Sequence, residues 1–396
     1  MENIKFEELY KIPSCNGLSR PSSVRGKGYK MVNMGELFSN DIIDEIDMER
    51  VQMNENELKK FLLLKGDLLF ARQSLVASGA GKCSIVNNIV EKTTFESHII
   101  RVRLDEKKAN PLYYYYLFQL PYNPVKSIVN QCAQAGIRGS ELKNIKVPCP
   151  SLEKQKLVSS ILFNFDQLIE NNNKQVKLLE QMTENIYKEW FVRFRFPGWE
   201  NSKFVENKPK GWQVGGDDIK HYVPIEFDYN ELKNIGLFIR GKNITTSNMV
   251  DGDIPVISAG IKPSGYHNES NVHGSCLTIS ASGANAGYLQ YHLNDIWAAD
   301  CSYYQDDESI WYVYNTLKYL QPVISNLQCG AAQPHVYPKN INKLSILIPT
   351  KELIKKYNEF VVPYYEKIKI LNEKNEILIK QRDMLLPRLM SGKLKV

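Results

Sequence analysis

The pattern of apolar and polar positions is dominated by two long amphipathic stretches that lie about 200 residues apart. Each stretch follows a strand-like run that ends in a proline, Pro150 in the first copy and Pro349 in the second. In both copies apolar side chains recur at steps of three and four residues, which is the spacing of one face of an α-helix. The predicted faces are Ile161, Phe165, Leu168, Asn172, Gln175, Leu179, Met182 and Ile186 in the first copy, and Val361, Tyr365, Ile368, Asn372, Asn375, Ile379, Arg382 and Leu386 in the second.

The two predicted helices need a partner, because neither face is fully apolar and both have two polar residues at the midpoint. Their constant offset predicts two equivalent modules, each with an equivalent long helix. In an antiparallel register with Ile161 opposite Leu386, the midpoint amides meet each other instead of leucine, which favours this pairing. The matched amides are then Asn172 with Asn375 and Gln175 with Asn372. The alternatives are a parallel pairing, or helices that each cover only their own module.

The segments that precede the two helices share one order of features. Strand-like runs bounded by turn residues, such as GDLLFARQ and SHIIRVRL in the first module and SCLTISAS in the second, alternate with loops. A short apolar run, PLYYYYLFQL (111–120), predicts a buried helix, and IWYVYNTLKYL (310–320) occupies the corresponding place. The predicted fold class is therefore α+β.

The predicted organisation has five segments. They are a first domain at 1–150, a first long helix at 151–194, a linker at 195–212, a second domain at 213–349 and a second long helix at 350–396. The linker is rich in Pro, Gly and Asn, which is typical of a connecting segment. Because proline lacks an N–H and clashes with the preceding turn, Pro363 predicts a break in the second helix and a restart with Pro363 near its first position.

Composition narrows the class of protein only moderately. A chain of 396 residues is too long for one core, and its 43% apolar and 24% charged residues are ordinary for a folded soluble protein. We expect a cytoplasmic location, because neither a signal peptide nor a membrane-spanning apolar run is visible. The seven cysteines are odd in number and lack CxxC spacing, so reduced thiols are expected. The net charge of +6 permits a nucleic-acid partner without requiring one.

Motifs for catalysis are weak throughout the sequence. ASGAGKC (77–83) lacks the first glycine and the final Ser or Thr of a phosphate-binding loop, and the glycines of SASGANAG (280–287) fit a tight turn in a sheet better than a nucleotide site. The acidic residues of IEFDYNELK are too close in sequence to indicate a nuclease cluster, and no histidine pair has metal-ligand spacing. We therefore expect neither a catalytic nor a metal site in this chain.

Two basic loops are the more promising candidates for function. RPSSVRGKGYK (20–30) and IRGKNITTSN (239–248) both contain Arg-Gly-Lys. Arginine and lysine bind phosphates and guanine, and asparagine binds adenine, so such loops suit DNA grooves, although exposed basic loops are often only solvated. The predicted DNA-binding residues are Arg20, Arg25, Lys27, Lys30, Arg72 and Gln73 in the first module, and Arg240, Lys242 and Asn243 in the second.

Taken together, several segments make the chain resemble the specificity (S) subunit of Type I restriction-modification systems over nearly its full length. The segments are 150–198, from PSLEKQKLV to FRFPG, KGDLLFARQ (65–73), GANAG (283–287), GAAQPHVYPKNINKLSILIP (330–349) and LLPRLMSGKL (385–394). As a set they are specific, whereas most of them are weak singly.

The resemblance implies a DNA-recognition scaffold without catalytic residues of its own. The implied architecture is two pseudo-repeated target-recognition domains, separated by a long antiparallel two-helix coiled coil, and each domain reads one half of a split DNA site. The helices are implied to dock two modification (M) subunits, which methylate adenine with S-adenosylmethionine. Restriction (R) subunits, which hydrolyse ATP with Mg, then join to cut DNA. The resemblance transfers no base-contacting residue, because the recognition loops of this family diverge widely.

Two other classes of function remain as alternatives. One is a coiled-coil adaptor that joins proteins without touching DNA, and the other is a single-chain restriction or methylation enzyme.

The second copy of the long helix begins differently from the first, since it reads PTKELIKKY where the first reads PSLEKQKLV. With Pro363, this difference predicts that M subunits dock asymmetrically.

Overall fold

The computed structural model describes residues 3–131, 135–206, 222–328 and 334–394. They divide into two compact units, the first formed by Met1–Glu170 with Asn375–Val396 and the second by Asn171–Lys374. The two long helices, α5 (Leu152–Tyr187) and α9 (Lys351–Met390), each contribute one half to each unit. The predicted five-segment boundaries remain predictions, and positions 207–221, where the predicted linker ends and the second domain begins, lie outside the described residues.

The first unit contains thirteen of the described strands and four short helices. The strands are β1 (Asn3–Lys5), β2 (Tyr10–Asn16), β3 (Arg25–Val32), β4 (Ile42–Ile43), β5 (Arg50–Val51), β6 (Leu68–Ala71), β7 (Gln73–Ser74), β8 (Cys83–Val86), β9 (Thr93–Phe95), β10 (Ile99–Leu104), β11 (Asn130–Gln131), β12 (Ala135–Gly136) and β13 (Lys146–Pro148). The helices are α1 (Met34–Ser39), α2 (Glu55–Phe61), α3 (Pro111–Gln119) and α4 (Gly139–Leu142), with 3₁₀ turns at Phe6–Leu9, Ser22–Val24, Ala77–Gly79 and Pro124–Ile128.

The second unit contains eleven described strands and three short helices. The strands are β14 (Phe204–Glu206), β15 (Tyr222–Pro224), β16 (Asp228–Glu231), β17 (Ile239–Arg240), β18 (Ile254–Ile257), β19 (Gly265–His267), β20 (Cys276–Ser280), β21 (Leu289–His292), β22 (Trp297–Ala298), β23 (Cys301–Tyr304) and β24 (Ser345–Ile348). The helices are α6 (Ile310–Tyr319), α7 (Gln321–Ser325) and α8 (Pro338–Asn342). A π-helical turn follows α5 at Lys188–Val192, and 3₁₀ turns lie at Trp199–Asn201, Leu232–Asn234, Thr246–Asn248 and Gly283–Asn285.

The two units share one sheet topology, which confirms the predicted internal repeat. The main sheet has the order β2-β10-β6-β8-β4 in the first unit and β17-β23-β20-β21 in the second. A smaller sheet has the order β5-β3-β9 in the first unit and β19-β18-β22 in the second. In each of these sheets the central strand pairs antiparallel with one neighbour and parallel with the other. The antiparallel pair β1·β13 corresponds to β16·β24.

Each main sheet is packed against a helix whose side chains are almost all buried. In α3, Pro111 occupies the first turn and the Asn110 side chain accepts a hydrogen bond from the Tyr113 N–H, so the helix begins where proline and a capping residue favour it. Residues Tyr113 to Phe118 are buried, as are Ile310 to Leu317 of α6. Both buried helices were predicted from their continuous apolar runs, and both predictions are confirmed.

In the first unit, the start of α5 and the end of α9 lie in one hydrophobic core. Val158 and Leu162 of α5 share this core with Leu386, Leu389 and Met390 of α9. Further along α5, Asp166 accepts a hydrogen bond from Arg382 at 2.6 Å. Contacts therefore move backwards along α9 as they move forwards along α5, which is an antiparallel arrangement.

In the second unit, the end of α5 pairs with the start of α9 in the same sense. The Thr183 hydroxyl lies 3.2 Å from the Tyr365 hydroxyl. About two turns further on, in the π-helical turn that follows α5, the Trp190 ring lies 5.6 Å from that of Tyr357. Trp311 of α6 stacks on Tyr365 with a centroid distance of 3.4 Å. The predicted antiparallel register is thus reproduced to within one residue inside each unit.

The buried faces of the helices differ from the predicted ones at alternate positions. Leu168, Met182, Asn372 and Ile379 are exposed, whereas their neighbours Thr183 and Leu371 are buried and Ile169 and Leu378 are half-buried. Because an α-helix has 3.6 residues per turn, a step of three or of four residues keeps a side chain on the same face. At several steps the residues at both positions are apolar, so the pattern does not decide which of the two is buried. These four predicted interface residues are therefore replaced by the adjacent ones.

The remaining predicted positions lie on or beside the inner faces. Val361, Tyr365, Ile368, Asn375 and Leu386 are buried, while Ile161, Phe165, Asn172, Gln175, Leu179 and Ile186 are half-buried. The predicted pairing of the midpoint amides is not established by their burial and stays a prediction. Because Asn372 is exposed, the Gln175–Asn372 pair is the less favourable of the two.

The predicted break at Pro363 does not occur, because α9 is continuous from Lys351 to Met390. Pro363 is exposed, so water can satisfy the carbonyl that its missing N–H leaves free. Tyr357, Val361 and Tyr365 on either side of it are almost completely buried. Burial of these three side chains outweighs the roughly 3 kcal/mol that an interior proline costs.

The Asp166–Arg382 pair predicts a measurable coupling between the two helices. We expect Arg382→Gln to lower the free energy of unfolding by about 1.5–3 kcal/mol, because it leaves a carboxylate with a side chain only 10% exposed without its charged partner. In a double-mutant cycle with Asp166→Asn, the second change should add little, as measured by urea unfolding of the full chain. Lys355→Gln, which breaks an exposed pair with Glu308, is the control and should leave the free energy of unfolding nearly unchanged. Additive losses for Asp166 and Arg382 would contradict the pairing.

Candidate nucleic-acid interface

Polar groups of the first unit converge where the central strands of the main sheet end. The Arg72 N–H donates to the His98 carbonyl at 2.8 Å, and the Ile137 N–H donates to the Arg72 carbonyl at 2.9 Å. These bonds bring three chain segments, 72–74, 96–98 and 135–137, to one edge of the sheet. We call this set of residues the first polar edge.

The second unit repeats this arrangement with the same backbone hydrogen bonds. The Ala281 N–H donates to the Asp300 carbonyl at 3.3 Å, and the Val336 N–H donates to the Ala281 carbonyl at 3.0 Å. The segments 281–283, 298–300 and 334–336 thus form the second polar edge. The equivalence places Arg72 with Ala281, Gln73 with Ser282 and His98 with Asp300.

A glycine-rich turn lies next to each polar edge. Gly81 and Gly287 donate their N–H groups to the last residues of β6 and β20, each at 2.8 Å. Their φ angles of 76° and 87° lie in the left-handed region that favours glycine. The glycines of ASGAGKC and SASGANAG therefore close equivalent hairpins, and the sheet-turn interpretation of the second is confirmed.

The side chains on the two edges differ in charge and in hydrogen-bonding capacity. On the first edge, the His98 side chain is about half exposed and its Nδ1 lies 3.7 Å from the Glu96 carboxylate. Arg72 donates to the Ser97 carbonyl at 3.4 Å. On the second edge, the Asp300 carboxylate accepts hydrogen bonds from Arg240 and Ser282. One fold thus presents two different sets of donors and acceptors.

Lys30, one of the predicted DNA-binding residues, belongs to the interior of the fold. It is 8% exposed, forms an ion pair with Glu45 and donates to the Ile46 carbonyl at 3.1 Å. The hydrogen bond that Lys30 donates to Glu45 raises the pKa of Lys30 and lowers the pKa of Glu45. A buried, paired ammonium is unavailable to a phosphate, so Lys30 is withdrawn from the candidate contacts.

The other basic residues of the first loop differ in whether an ion pair already holds their side chains. Arg20 forms an ion pair with Glu57 and lowers the pKa of that carboxyl. Arg25 donates to Glu49 at 2.7 Å. Lys27 is exposed between two glycines with left-handed φ angles, and within the described residues it has no ion-pair partner. Lys27 is thus the cation of this loop that is best placed to meet a phosphate.

In the second loop, Arg240 is held by Asp300, whereas Lys242 and Asn243 are exposed. The Lys242 ammonium lies 5.9 Å from the centre of the Trp297 ring, and the Lys242 carbonyl accepts a hydrogen bond from the Trp297 indole at 2.8 Å. The loop is therefore anchored by its backbone while its lysine and asparagine side chains remain available.

The two Arg-Gly-Lys sequences do not occupy equivalent places, although both belong to the predicted basic loops. Gly241 donates to the Cys301 carbonyl at 2.9 Å, as Gly17 does to the Ile99 carbonyl at 3.2 Å. A β-carbon at Gly17 would lie 2.1 Å from the Phe95 carbonyl oxygen, and one at Gly241 would lie 2.5 Å from the Ala299 oxygen. The counterpart of Gly241 is therefore Gly17, while Arg25 begins β3, a different strand.

Part of the polar edges was not predicted from the sequence. His98, Ser282 and Asp300 were not candidates, because each is a single polar residue beside a strand and no motif marks it. An alignment of the two halves of the chain on their strands pairs Asp300 with His98, and it is the signal that could have identified both residues. Gln73 and Arg72, which were candidates, do lie on the first edge, and their contact with DNA stays a prediction.

Three buried ionisable groups of the second unit have pKa values shifted by burial. Burial raises the pKa of Cys276 and Cys301 to about 12 and lowers the pKa of His292 to about 4, so all three are neutral at physiological pH. The cysteines that the structure describes are free thiols, and Cys132 and Cys329 lie outside the described residues.

Neither a metal-binding group nor a membrane helix is found within the described ranges. No three His, Cys, Asp or Glu side chains in these ranges gather closely enough to hold a metal ion. None of the helices there combines the length and the apolar character needed to cross a membrane.

Comparison with known proteins identifies the family. The family model described as the type I restriction modification DNA specificity domain matches residues 1–181 and 224–380. The chain belongs to this family. The two matches correspond to the two halves of the internal repeat, and they confirm the resemblance found in the sequence. The protein is a specificity subunit of a type I restriction-modification system, with two DNA specificity domains.

Individual relatives agree with this assignment. The chain is 29% identical over 304 residues to the type I restriction enzyme MjaIX specificity subunit of Methanocaldococcus jannaschii, covering 72% of this chain and 69% of the relative. A putative MjaX specificity subunit of the same organism is 24% identical and covers 100% of this chain and 97% of the relative. The crystal structure of an S subunit from M. genitalium has the same fold, with a TM-score of 0.59, 16% identity and coverage of 98% and 95%.

The contrast between Lys27 and Lys30 gives a prediction for this specificity subunit. Lys27→Gln should weaken duplex binding and reduce the slope of log affinity against log salt by about 0.9, the value for one phosphate contact, with no change in melting temperature. Lys30→Gln should lower the melting temperature instead, because it leaves Glu45 and Glu91 without their shared cation. Fluorescence anisotropy at several salt concentrations and thermal melts separate the two effects. A Lys30 variant that melts normally but loses the salt slope would contradict the assignment.

Proposed function

We propose that this specificity subunit reads a split DNA site with its two polar edges and performs no bond making itself. The observation that carries the proposal is the contrast between the edges. The backbone hydrogen bonds are the same in both units, while Arg72 and His98 on one edge are replaced by Ala281 and Asp300 on the other. A shared scaffold with different side chains is what two different half-sites require, because base edges are distinguished by donor and acceptor patterns.

The electrostatic part of DNA binding comes from cations that the fold leaves free. Lys27 in the first unit is exposed within β3, between Arg25 and Tyr29, which both pair with Val51. Lys242 in the second unit is exposed on a loop, where its N–H donates to the Ala298 carbonyl at 2.9 Å. Phosphate contacts of this kind fix the position of a protein on the duplex without reading its sequence. Base discrimination is then left to the polar edges.

The chemistry of the complex is assigned to partner subunits. We propose that two M subunits with S-adenosylmethionine methylate adenines that this chain positions, and that R subunits with ATP and Mg cut the DNA. A methyltransferase must take its target base out of the helical stack, and a firmly bound duplex beside it provides the fixed frame for that step. This chain contributes binding energy and register.

The outer faces of the long helices are the proposed docking surface for the M subunits. Several large apolar side chains of each unit are exposed on these outer faces. Exposed apolar side chains grouped in this way are typical of a surface that binds a partner. They are Leu157, Leu168, Ile377, Ile379 and Met384 in the first unit, and Leu178, Met182, Phe360 and Ile370 in the second. The two sets do not correspond under the internal repeat, which favours asymmetric docking.

Single substitutions on the two edges test the proposal directly. We expect His98→Ala to change the methylated sequence in one half-site only and Asp300→Ala to change it in the other half only. Each lost contact removes about 1–3 kcal/mol of discrimination against the wrong base. The measurement is methylome sequencing of cells that express the full chain with its methyltransferase partner.

The result also separates the alternatives. If both variants altered the same half, the assignment of one half-site to each unit would be wrong. If the unmodified chain co-purified with a methyltransferase but showed no salt-dependent retention on duplex DNA, the protein-adaptor alternative would be correct.

The docking surface gives a second test on a single helix face. Leu178→Asp with Met182→Asp should reduce the amount of methyltransferase that co-purifies, because two carboxylates would be desolvated in an apolar contact. Melting temperature should not change, since both side chains are exposed. Ile261→Asp, at a similarly exposed apolar residue of the same unit, is the matched control. Undiminished co-purification of the double variant would remove this face from the docking surface.

A further inference from the structure

The first polar edge contains three residues that the second lacks. Gln73 pairs with Gly136 as Ser282 pairs with His335, so these two positions are equivalent. Ser282 is followed at once by the 3₁₀ turn Gly283–Asn285, whereas Ser74, Leu75 and Val76 stand between Gln73 and the corresponding turn at Ala77–Gly79. The insertion lies at the tip of the hairpin, beside the groups proposed to read DNA.

The inserted segment presents two aliphatic side chains to solvent. Leu75 is 87% exposed and Val76 is 61% exposed, and no large apolar side chain among the described residues is more exposed than Leu75. Leaving such groups in water is unfavourable. A recognition loop that keeps them there indicates that they are covered when its ligand binds.

The tip is held in place by its own hydrogen bonds. The Val76 N–H donates to the Ser74 hydroxyl at 3.2 Å, and the Gly79 N–H donates to the Val76 carbonyl at 3.0 Å. Ser74 is also paired with Ala135 in the sheet. Because this conformation already exists, little ordering of the loop is needed when it meets a ligand.

The surroundings of the tip favour nucleic acid over protein as that ligand. A hollow of about 340 Å³ beside Leu75 is lined by Met34, Phe38, Gln73, Ser74 and His98. Two aliphatic side chains cover far less than the roughly 800 Å² per partner of a stable protein interface. Leucine and similar residues do enter base steps as wedges when polar groups beside them hold the groove edges.

We infer that Leu75 and Val76 form a wedge that inserts between two base pairs of the half-site bound by the first unit. The inference rests on the proposed function, because it needs DNA on the first polar edge. Gln73 and His98 would hold the base edges next to the opened step, while Met34 and Phe38 form the apolar floor behind the wedge.

The wedge makes the two half-sites mechanically different. The second unit has no counterpart of the insertion, so only the half-site of the first unit is opened and bent. Pyrimidine–purine steps unstack most easily, and the first half-site should therefore contain such a step where the wedge enters. Part of the specificity then comes from the stiffness of the DNA, without a contact to a base edge.

The test uses the full chain in complex with its methyltransferase partner and a duplex that contains the site found by methylome sequencing. 2-Aminopurine is placed at each position of the first half-site in turn, because its fluorescence rises when a base is unstacked. We expect a rise at one step with the unmodified chain and no rise with Leu75→Ser combined with Val76→Ser. The same double variant should bind the site about tenfold more weakly.

Two further variants make the result specific. Val90→Ser removes an aliphatic side chain that is 81% exposed in another loop of the same unit, and it should leave fluorescence and affinity unchanged. Leu75→Met keeps a long apolar side chain and should keep the rise. All these positions are exposed, so equal melting temperatures will show that the variants are folded.

The possible failures can be told apart. If the unmodified complex methylates the site without a fluorescence rise at any position, and the double serine variant keeps its affinity, the wedge is refuted while the proposed function stands. If the double serine variant loses its methyltransferase partner, the tip is a protein contact and the wedge is wrong. If the unmodified complex does not bind the duplex at all, the proposed function fails first.

Discussion

The structure depends on the antiparallel pairing of two helix segments that lie far apart in the chain. The core of the first unit is incomplete without the C-terminal residues of α9, and that of the second is completed by Thr183 and Trp190 against Tyr365 and Tyr357. Neither α5 nor α9 has an inner face that is apolar enough to be stable alone. Each unit therefore contains one segment of each helix, and the two segments stabilise each other by burial.

On this base, one recognition fold is used twice with different side chains. The backbone bonds that bring 72–74 to 96–98 recur between 281–283 and 298–300, so the scaffold tolerates a change from Arg72 to Ala281 without a change of shape. Binding residues can thus diverge at the ends of rigid strands while the fold is conserved inside the chain. The same logic accounts for an insertion at one hairpin tip and not at the other.

Much of the fold follows from periodicity, and the remainder depends on tertiary contacts. The two long helices and the buried runs at α3 and α6 were predictable, because burial imposes regular spacing. The antiparallel sense was predicted from the matching of the midpoint amides, and contacts elsewhere along the helices confirm it. The pattern did not decide which of two adjacent residues is the more buried at Leu168 and Met182, and in both places the predicted residue is the exposed one. Pro363 was misjudged because the sequence pattern does not show that burial of Tyr357, Val361 and Tyr365 outweighs the cost of an interior proline. Lys30 resembled a free cation, and only the positions of Glu45 and Glu91 in the fold show that it is paired.

The helix pairing can be measured directly by cross-linking within the first unit. Cysteines replace Asp166 and Arg382, whose side chains are in contact, in a chain otherwise free of reactive thiols, and a short bis-maleimide is added to the folded protein. The antiparallel arrangement predicts efficient cross-linking of this pair and none between cysteines at 166 and 366, which a parallel pairing would bring together. Cross-linking of 166 to 366 in place of 382 would contradict the account.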